Sequence, residues 1–143
     1  MTIDQISVFV ENKPGKLVEI IEALSGAGID LRAMSIADTA NFGILRLIVN
    51  KPVKAKKILT DAGCVVKMNE VIPVSVDDEP GGLAKVLRTL ADAGFGVEYA
   101  YAFVAHERGH AYVVIRVEET AAAVKVLEEN GVKLISAEEM YGM

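Results

Sequence analysis

Residues 106–110 read His-Glu-Arg-Gly-His. This is the His-Glu-x-x-His spacing of zinc proteases. On a helix it puts both histidines on one face, with the glutamate between them as base. The flanks do not supply a helix. "YAFVA" before the motif and "AYVVIRV" after it are β-type runs, and Gly109 lies inside it. The stretch therefore reads as a hairpin turn with His106 and His110 as solvated loop residues, open at most to adventitious metal binding. Cys64 is the single cysteine, so a disulfide within the chain and a thiolate zinc cluster are excluded. Ser7, Ser25, Ser35, Ser75 and Ser136 lie in predicted strands or helices without a paired histidine, and no glycine-rich loop has phosphate-binding spacing. The expectation is a protein with no catalytic residue, no metal and no cofactor.

A different constellation occurs twice. Residues 11–15 read Glu-Asn-Lys-Pro-Gly, and residues 77–81 read Asp-Asp-Glu-Pro-Gly. Each follows a strand-like run and precedes an amphipathic helix. A helix start offers unpaired N–H groups and a partial positive charge, which suit a carboxylate. Gly15 lets a ligand approach the backbone closely. Asn12 carries both a donor and an acceptor and can meet the carboxylate and ammonium of a free α-amino acid. Residue chemistry alone favours the plainer reading at this point. Asn12 caps the helix, Pro14 and Gly15 shape the turn, and Asp78 is a cap in the second copy.

The elements around these turns repeat. "VFVENKPGKLVEIIEALSGAGIDL" aligns with "VSVDDEPGGLAKVLRTLADAGFGV", matching Val8 with Val74, Leu17 with Leu83 and Gly28 with Gly94, sixty-six residues apart. Gly43 keeps this spacing against Gly109. Leu59 and Leu127, and Gly63 and Gly131, are sixty-eight apart, which places two extra residues near "RVEETAAA". The first copy predicts a strand over 3–10, with alternating apolar residues. Pro14 suits the first turn of a helix, and Leu17, Ile20, Ile21 and Leu24 form its apolar face. Strands over 29–37 and 44–50, a helix from Pro52 to Gly63 and a strand over 64–68 complete β-α-β-β-α-β. The second copy predicts strand 71–77, helix 80–93, strands 95–104 and 110–117, helix 119–130 and strand 132–136. The fold class is α+β, with two tandem ferredoxin-like units over 1–69 and 70–143. About 70 residues is marginal for a lone domain, so two units packed together are expected.

The chain has 143 residues, 52% of them apolar, and a net charge of −5 with no basic cluster, so nucleic acid is not an expected partner. "MTIDQISVFV" lacks a secretory pattern, and no apolar run approaches the ~18 residues of a membrane span. A soluble, cytoplasmic protein without membrane association is expected.

"ENKPGKLVEIIEALSGAGIDLRAMSI" resembles the opening of an ACT domain, a regulatory module of amino-acid metabolism. The resemblance rests on Asn12, Pro14, Gly15, Leu17, Gly28, Ile29, Asp30 and Leu31. The second copy keeps Pro80, Gly81, Leu83 and Gly94, but departs at Asp78 and at Gly96. The whole chain resembles freestanding double-ACT proteins more than the small subunit of acetohydroxyacid synthase, and no attached enzyme domain is expected. The resemblance implies side-by-side pairing of sheets through strand two, with an amino acid bound at the seam. One site would combine Glu11, Asn12, Lys13, Pro14, Gly15, Lys16 and Leu17 with Tyr99, Ala100, Tyr101 and Ala102. A second, weaker site would combine Asp78, Glu79, Pro80, Gly81, Gly82 and Leu83 with Met34, Ser35 and Ile36.

The charges predict that the sites differ. Lys13 and Lys16 flank the first turn, against Glu11. Asp77, Asp78 and Glu79 crowd the second, with Gly82 where Lys16 stands. Like charges ~4 Å apart repel by about 4 kcal/mol at an effective dielectric near 20, roughly three decades of affinity. The first turn is thus expected to accept a carboxylate, and the second to be weak, empty or in contact only with an ammonium. Tyr99, Tyr101 and Phe103 fall on one strand face by period two. That face is either a side-chain pocket or a surface buried against another subunit, which would make a homodimer. The expected function is non-catalytic: binding of an apolar, branched-chain or aromatic amino acid that modulates an enzyme partner. The alternative is an accessory subunit that binds no effector.

Overall fold

The structure, a computed structural model, describes residues 2–38, 41–104 and 108–142. The chain divides into two compact units, Asp4–Asn69 and Glu70–Met143 with Met1–Ile3.

In the N-terminal unit, β1 (Ile3–Glu11) alternates, with Ile6, Val8 and Val10 buried and Phe9 and Glu11 exposed. It pairs antiparallel with β3 (Phe42–Val49), which pairs with β2 (Leu31–Asp38) at the edge of the unit's sheet. On the other side of β1, the Phe9 N–H donates to the Val65 carbonyl at 3.2 Å. Helices α1 (Lys16–Gly26) and α2 (Pro52–Asp61) cover one face. Their Ile20, Leu24, Ala55 and Leu59 join Ile6, Val8, Leu45 and Leu47 in a single apolar core. Pro52 opens α2, where its missing N–H costs no hydrogen bond.

The strand predicted over 64–68 and that over 71–77 are one strand, β4 (Val66–Asp77). No glycine or turn pair interrupts the chain there, so the boundary between units falls inside a strand.

The C-terminal unit has the same plan. β4 pairs with β6 (His110–Arg116) on one side and β7 (Lys133–Leu134) on the other, and β6 pairs with β5 (Tyr99–Ala102). Helices α3 (Gly82–Asp92) and α4 (Thr120–Glu129) bury Val86, Leu90, Val124 and Leu127 against Ile72, Val74, Val113 and Ile115. The strand expected over 95–104 is shorter, because Gly94 takes a positive φ of 85° and Gly96 adds no side chain to the ladder. Single bonds from Glu98 N to Arg116 O and from Phe103 N to Tyr112 O, both 2.9 Å, extend it. The strand expected over 132–136 shrinks to two residues, and a helix α5 (Ala137–Tyr141) follows. Ser136 caps it, accepting from Glu139 N at 3.1 Å.

The registers relocate the two extra residues. Val8 pairs with Leu45 and Val74 with Val113, so the spacing is already sixty-eight in the third strand of each unit. Ser35 pairs with Arg46 and Tyr101 with Val114, which gives the same result. The extra residues therefore lie in the β5–β6 connection, around "AHERG", and not near "RVEETAAA". The counterpart of Gly43 is Ala111 and not Gly109. Gly43 sits inside β3, whereas Gly109 occupies a turn at φ 85°. Among the described residues no helix is long and apolar enough to cross a membrane.

Candidate functional site

Each repeated turn is a type II β-turn. Lys16 N donates to Lys13 O at 3.2 Å across Pro14 and Gly15, and Gly82 N donates to Glu79 O at 3.0 Å across Pro80 and Gly81. Proline presets the first central position. The second needs a positive φ, here 89° at Gly15 and 90° at Gly81, which glycine adopts without strain. The remaining bonds also match. Asn12 N and Asp78 N donate to Asn41 O and Gly109 O, and Lys13 N and Glu79 N donate back to Glu11 O and Asp77 O. Pro14 and Pro80 thus precede their helices and are not in the first helical turn. Gly15 and Gly81 are the N-caps, and a glycine has no side chain with which to cap either helix. The capping roles considered for Asn12 and Asp78 are excluded by this geometry.

The side chains set the turns apart. Lys13 Nζ lies 3.1 Å from the Glu11 carboxylate, and Lys16 Nζ lies 3.9 Å from Glu19. The Lys13 ammonium, by its hydrogen bond and charge, holds the Glu11 carboxyl below the usual carboxylate value, with Lys16 adding a smaller pull. The first turn is therefore a balanced set of two cations and two anions, because Glu19, one helical turn on, offsets the second lysine. In the second turn Asp77 lies 4.0 Å from His110 Nδ1, and Lys85 stands where Glu19 does. Gly82 is buried, and a Cβ there would fall well inside contact with the Asp77 carbonyl oxygen. The end of β4 closes onto the start of α3. At the same position α1 begins with an exposed Lys16.

The sequence profile of the ACT domain pair family matches residues 1–143. The chain belongs to this family. A protein from Bacteroides thetaiotaomicron of known crystal structure shares 41% identity, covering 100% of this chain and 98% of its own, with a TM-score of 0.93. The ligand-free regulatory subunit of aspartate kinase from Thermus thermophilus has the same fold at 19% identity, covering 88% and 91%, with a TM-score of 0.65. The corresponding subunit from Thermus flavus stands at 18% identity, 88% and 90% coverage, and a TM-score of 0.61. No curated protein sequence matches the chain.

The residues expected from strand two lie as follows. Tyr99 and Tyr101 are half-buried and stack, ring centroids 6.4 Å apart. Phe103 meets Tyr112 edge-on at 6.0 Å. The alternation predicted for this strand therefore holds, with Ala100 and Ala102 exposed between the rings. In β2, Met34 packs against the core of its ACT unit, Ser35 is half-buried and Ile36 is exposed. Residues 11–17 belong to the N-terminal unit and Tyr99–Ala102 to the C-terminal one.

Each ACT unit also holds a cavity beside its turn, in a place the sequence reading did not single out. The first, about 280 Å³, is bounded by the end of β1, the first half of α1 and the α2–β4 connection, with Glu11, Lys16, Glu19, Ile20 and Cys64 in its lining. The second, also about 280 Å³, occupies the matching place, with Asp77, Gly82, Lys85, Val86 and Val132. A larger cavity of about 410 Å³ lies at the opposite end of the C-terminal unit, around Gly96, Glu98 and Glu118. In the N-terminal unit the matching residues are bonded to one another. Arg32 pairs with Asp30, Asp30 N donates to Asn50 Oδ1 at 3.0 Å, and Asn50 N donates back to Asp30 O at 3.2 Å. Gly96, Glu98 and Glu118 replace these three residues, so the clamp is lost.

Of the His-Glu-x-x-His pattern, His106 and Glu107 lie outside the described residues. His110 begins β6, a strand and not the helix that zinc-protease chemistry needs. Among the described residues no group of three or more His, Cys, Asp or Glu side chains is placed to hold a metal ion.

Proposed function

We propose that this chain is a non-catalytic regulatory protein that binds a free α-amino acid at its first ACT turn and thereby modulates an enzyme of amino-acid metabolism. The observation that carries this reading is the difference between the two turns. Their backbones share one turn type and the same three turn hydrogen bonds, yet only the first places lysines in the turn and at the first helical position, Lys13 and Lys16. Residues Glu11 to Leu17 supply one wall. A sheet edge of another ACT unit, of the kind Tyr99–Ala102 presents, supplies the other, and a homodimer is the assembly proposed to bring them together. The second group, Asp78 to Leu83 with Met34 to Ile36, is proposed as the weaker site. The ligand acts by stabilising one arrangement of units over another, which requires that it bind the two arrangements unequally. Membership of the ACT family and the regulatory fold shared with the aspartate kinase subunits support the reading. Cytoplasmic location belongs to the same proposal.

The test is the melting temperature of the full chain with each amino acid at millimolar concentration, repeated on Asn12→Ala. A ligand at one hundred times its Kd stabilises by about 2.7 kcal/mol. One chemical class is expected to raise the melting temperature, and Asn12→Ala to remove the effect. No shift with any amino acid would contradict the proposal and favour an accessory subunit without an effector.

A further inference from the structure

Phe9, Phe42 and Val65 are 45%, 51% and 61% exposed, and all three border the cavity beside the first turn. They come from three segments of one ACT unit: β1, the start of β3, and the α2–β4 connection. The C-terminal unit shows what the fold itself requires at these positions. Glu11 pairs with Phe42 as Asp77 pairs with His110, and Phe9 lies beside Val65 as Ser75 lies beside Lys133. The counterparts of the three apolar residues are therefore Ser75, His110 and Lys133, and they border a cavity of the same size. The architecture accepts a hydroxyl, an imidazole and an ammonium there. Three water-facing apolar groups around one concavity are not a folding requirement, and such a patch marks a place that something covers.

The mouth of the cavity carries both signs of charge, Lys16 against Glu11 and Glu19. Its ion pairs are exposed and worth little, so a ligand can exchange them at small cost. The volume lies near the ~300 Å³ lower limit of ligand cavities, which suits one small molecule and not a nucleotide or flavin. The geometry points to a side-chain pocket for an aliphatic or aromatic α-amino acid inside the N-terminal ACT unit. The ligand's side chain lies against Phe9, Phe42 and Val65, its ammonium faces Glu11 and Glu19, and its carboxylate faces Lys16. This rests on the reading that the first turn receives an amino acid. It adds where the side chain goes, and predicts that the C-terminal unit has no apolar preference.

Calorimetric titration of the full chain with L-leucine, L-phenylalanine and glycine tests it, alongside Phe9→Ser/Val65→Lys, which carries the other unit's residues. Leucine or phenylalanine is expected to bind at least about tenfold more tightly than glycine, each buried methylene being worth about fourfold. The double variant is expected to reduce that preference to within about threefold. Phe42→His serves as a second variant should the first fold poorly. A preference that survives both exchanges overturns the pocket, and if Asn12→Ala still abolishes binding, the regulatory reading stands without it. If the exchanges remove the preference while Asn12→Ala binds normally, the pocket stands and the role given to Asn12 falls. No binding by the unaltered chain overturns both.

Discussion

The two turns are alike in backbone and unlike in everything attached to it. In each, proline and a positive-φ glycine make a type II turn, and that glycine is the N-cap of the helix that follows. In the first, Lys16 follows the glycine and points into water beside a cavity rimmed by Phe9, Phe42 and Val65. In the second, Gly82 follows, the Asp77 carbonyl closes onto it, and the rim is Ser75, His110 and Lys133. Duplication supplies an internal control. What both units keep is what the fold needs, and what only one keeps needs another explanation.

The largest effect that sharpens this contrast comes from placing a methyl group at the two helix starts. Gly82→Ala drives a Cβ into the Asp77 carbonyl and is expected to cost about 3 kcal/mol, lowering the melting temperature by roughly 10 °C. Lys16→Ala, at the matching exposed position, is expected to stay within about 0.5 kcal/mol. Thermal unfolding of both variants checks the pair, and equal losses would break the contrast. A smaller effect concerns what the turns share. Gly15→Ala and Gly81→Ala each force an ordinary side chain into the left-handed region and are expected to cost about 1–2 kcal/mol alike. Denaturant unfolding measures both, and a clear inequality would show that the turns differ in backbone as well as in side chains.

The smallest effect is electrostatic. Lys13 depresses the Glu11 carboxyl, so any stability from this pair is present above the ordinary carboxylate value and is lost as pH falls through the lower folded value. Carboxyl NMR titration is expected to show the Glu11 pKa rising toward the ordinary value in Lys13→Ala. An unchanged Glu11 would remove Lys13 as its partner.

Much of this was legible in the residues. The repeat, the face of the first helix built on Ile20 and Leu24, and the aromatic face of β5 all follow from local periodicity. The misreadings have physical causes. Gly43 and Gly109 align by identity, but one is a strand residue and the other a turn residue, and only the strand registers show that the extra residues lie in the β5–β6 connection. Proline suits a first helical turn, yet the following glycine's positive φ makes it a turn residue instead. The short α5 has its own signal, Ser136 three residues before Glu139, a capping pair outside the repeat. The cavity rim was not legible, because Phe9, Phe42 and Val65 are far apart in sequence and join only when β1, β3 and the α2–β4 connection are brought side by side. Glu19, the anion that balances Lys16, lies outside the repeated motif and carries no signal of that role in the sequence.

The central claim, a proposal, is that one ACT unit binds an amino acid tightly and its copy weakly or not at all. The number of ligand molecules bound per chain, from calorimetric titration with the tightest-binding apolar amino acid, tests it most directly. One tightly bound molecule per chain, weakened to about the affinity of glycine in Phe9→Ser/Val65→Lys, is the result the account predicts. Two molecules per chain of equal affinity would contradict it.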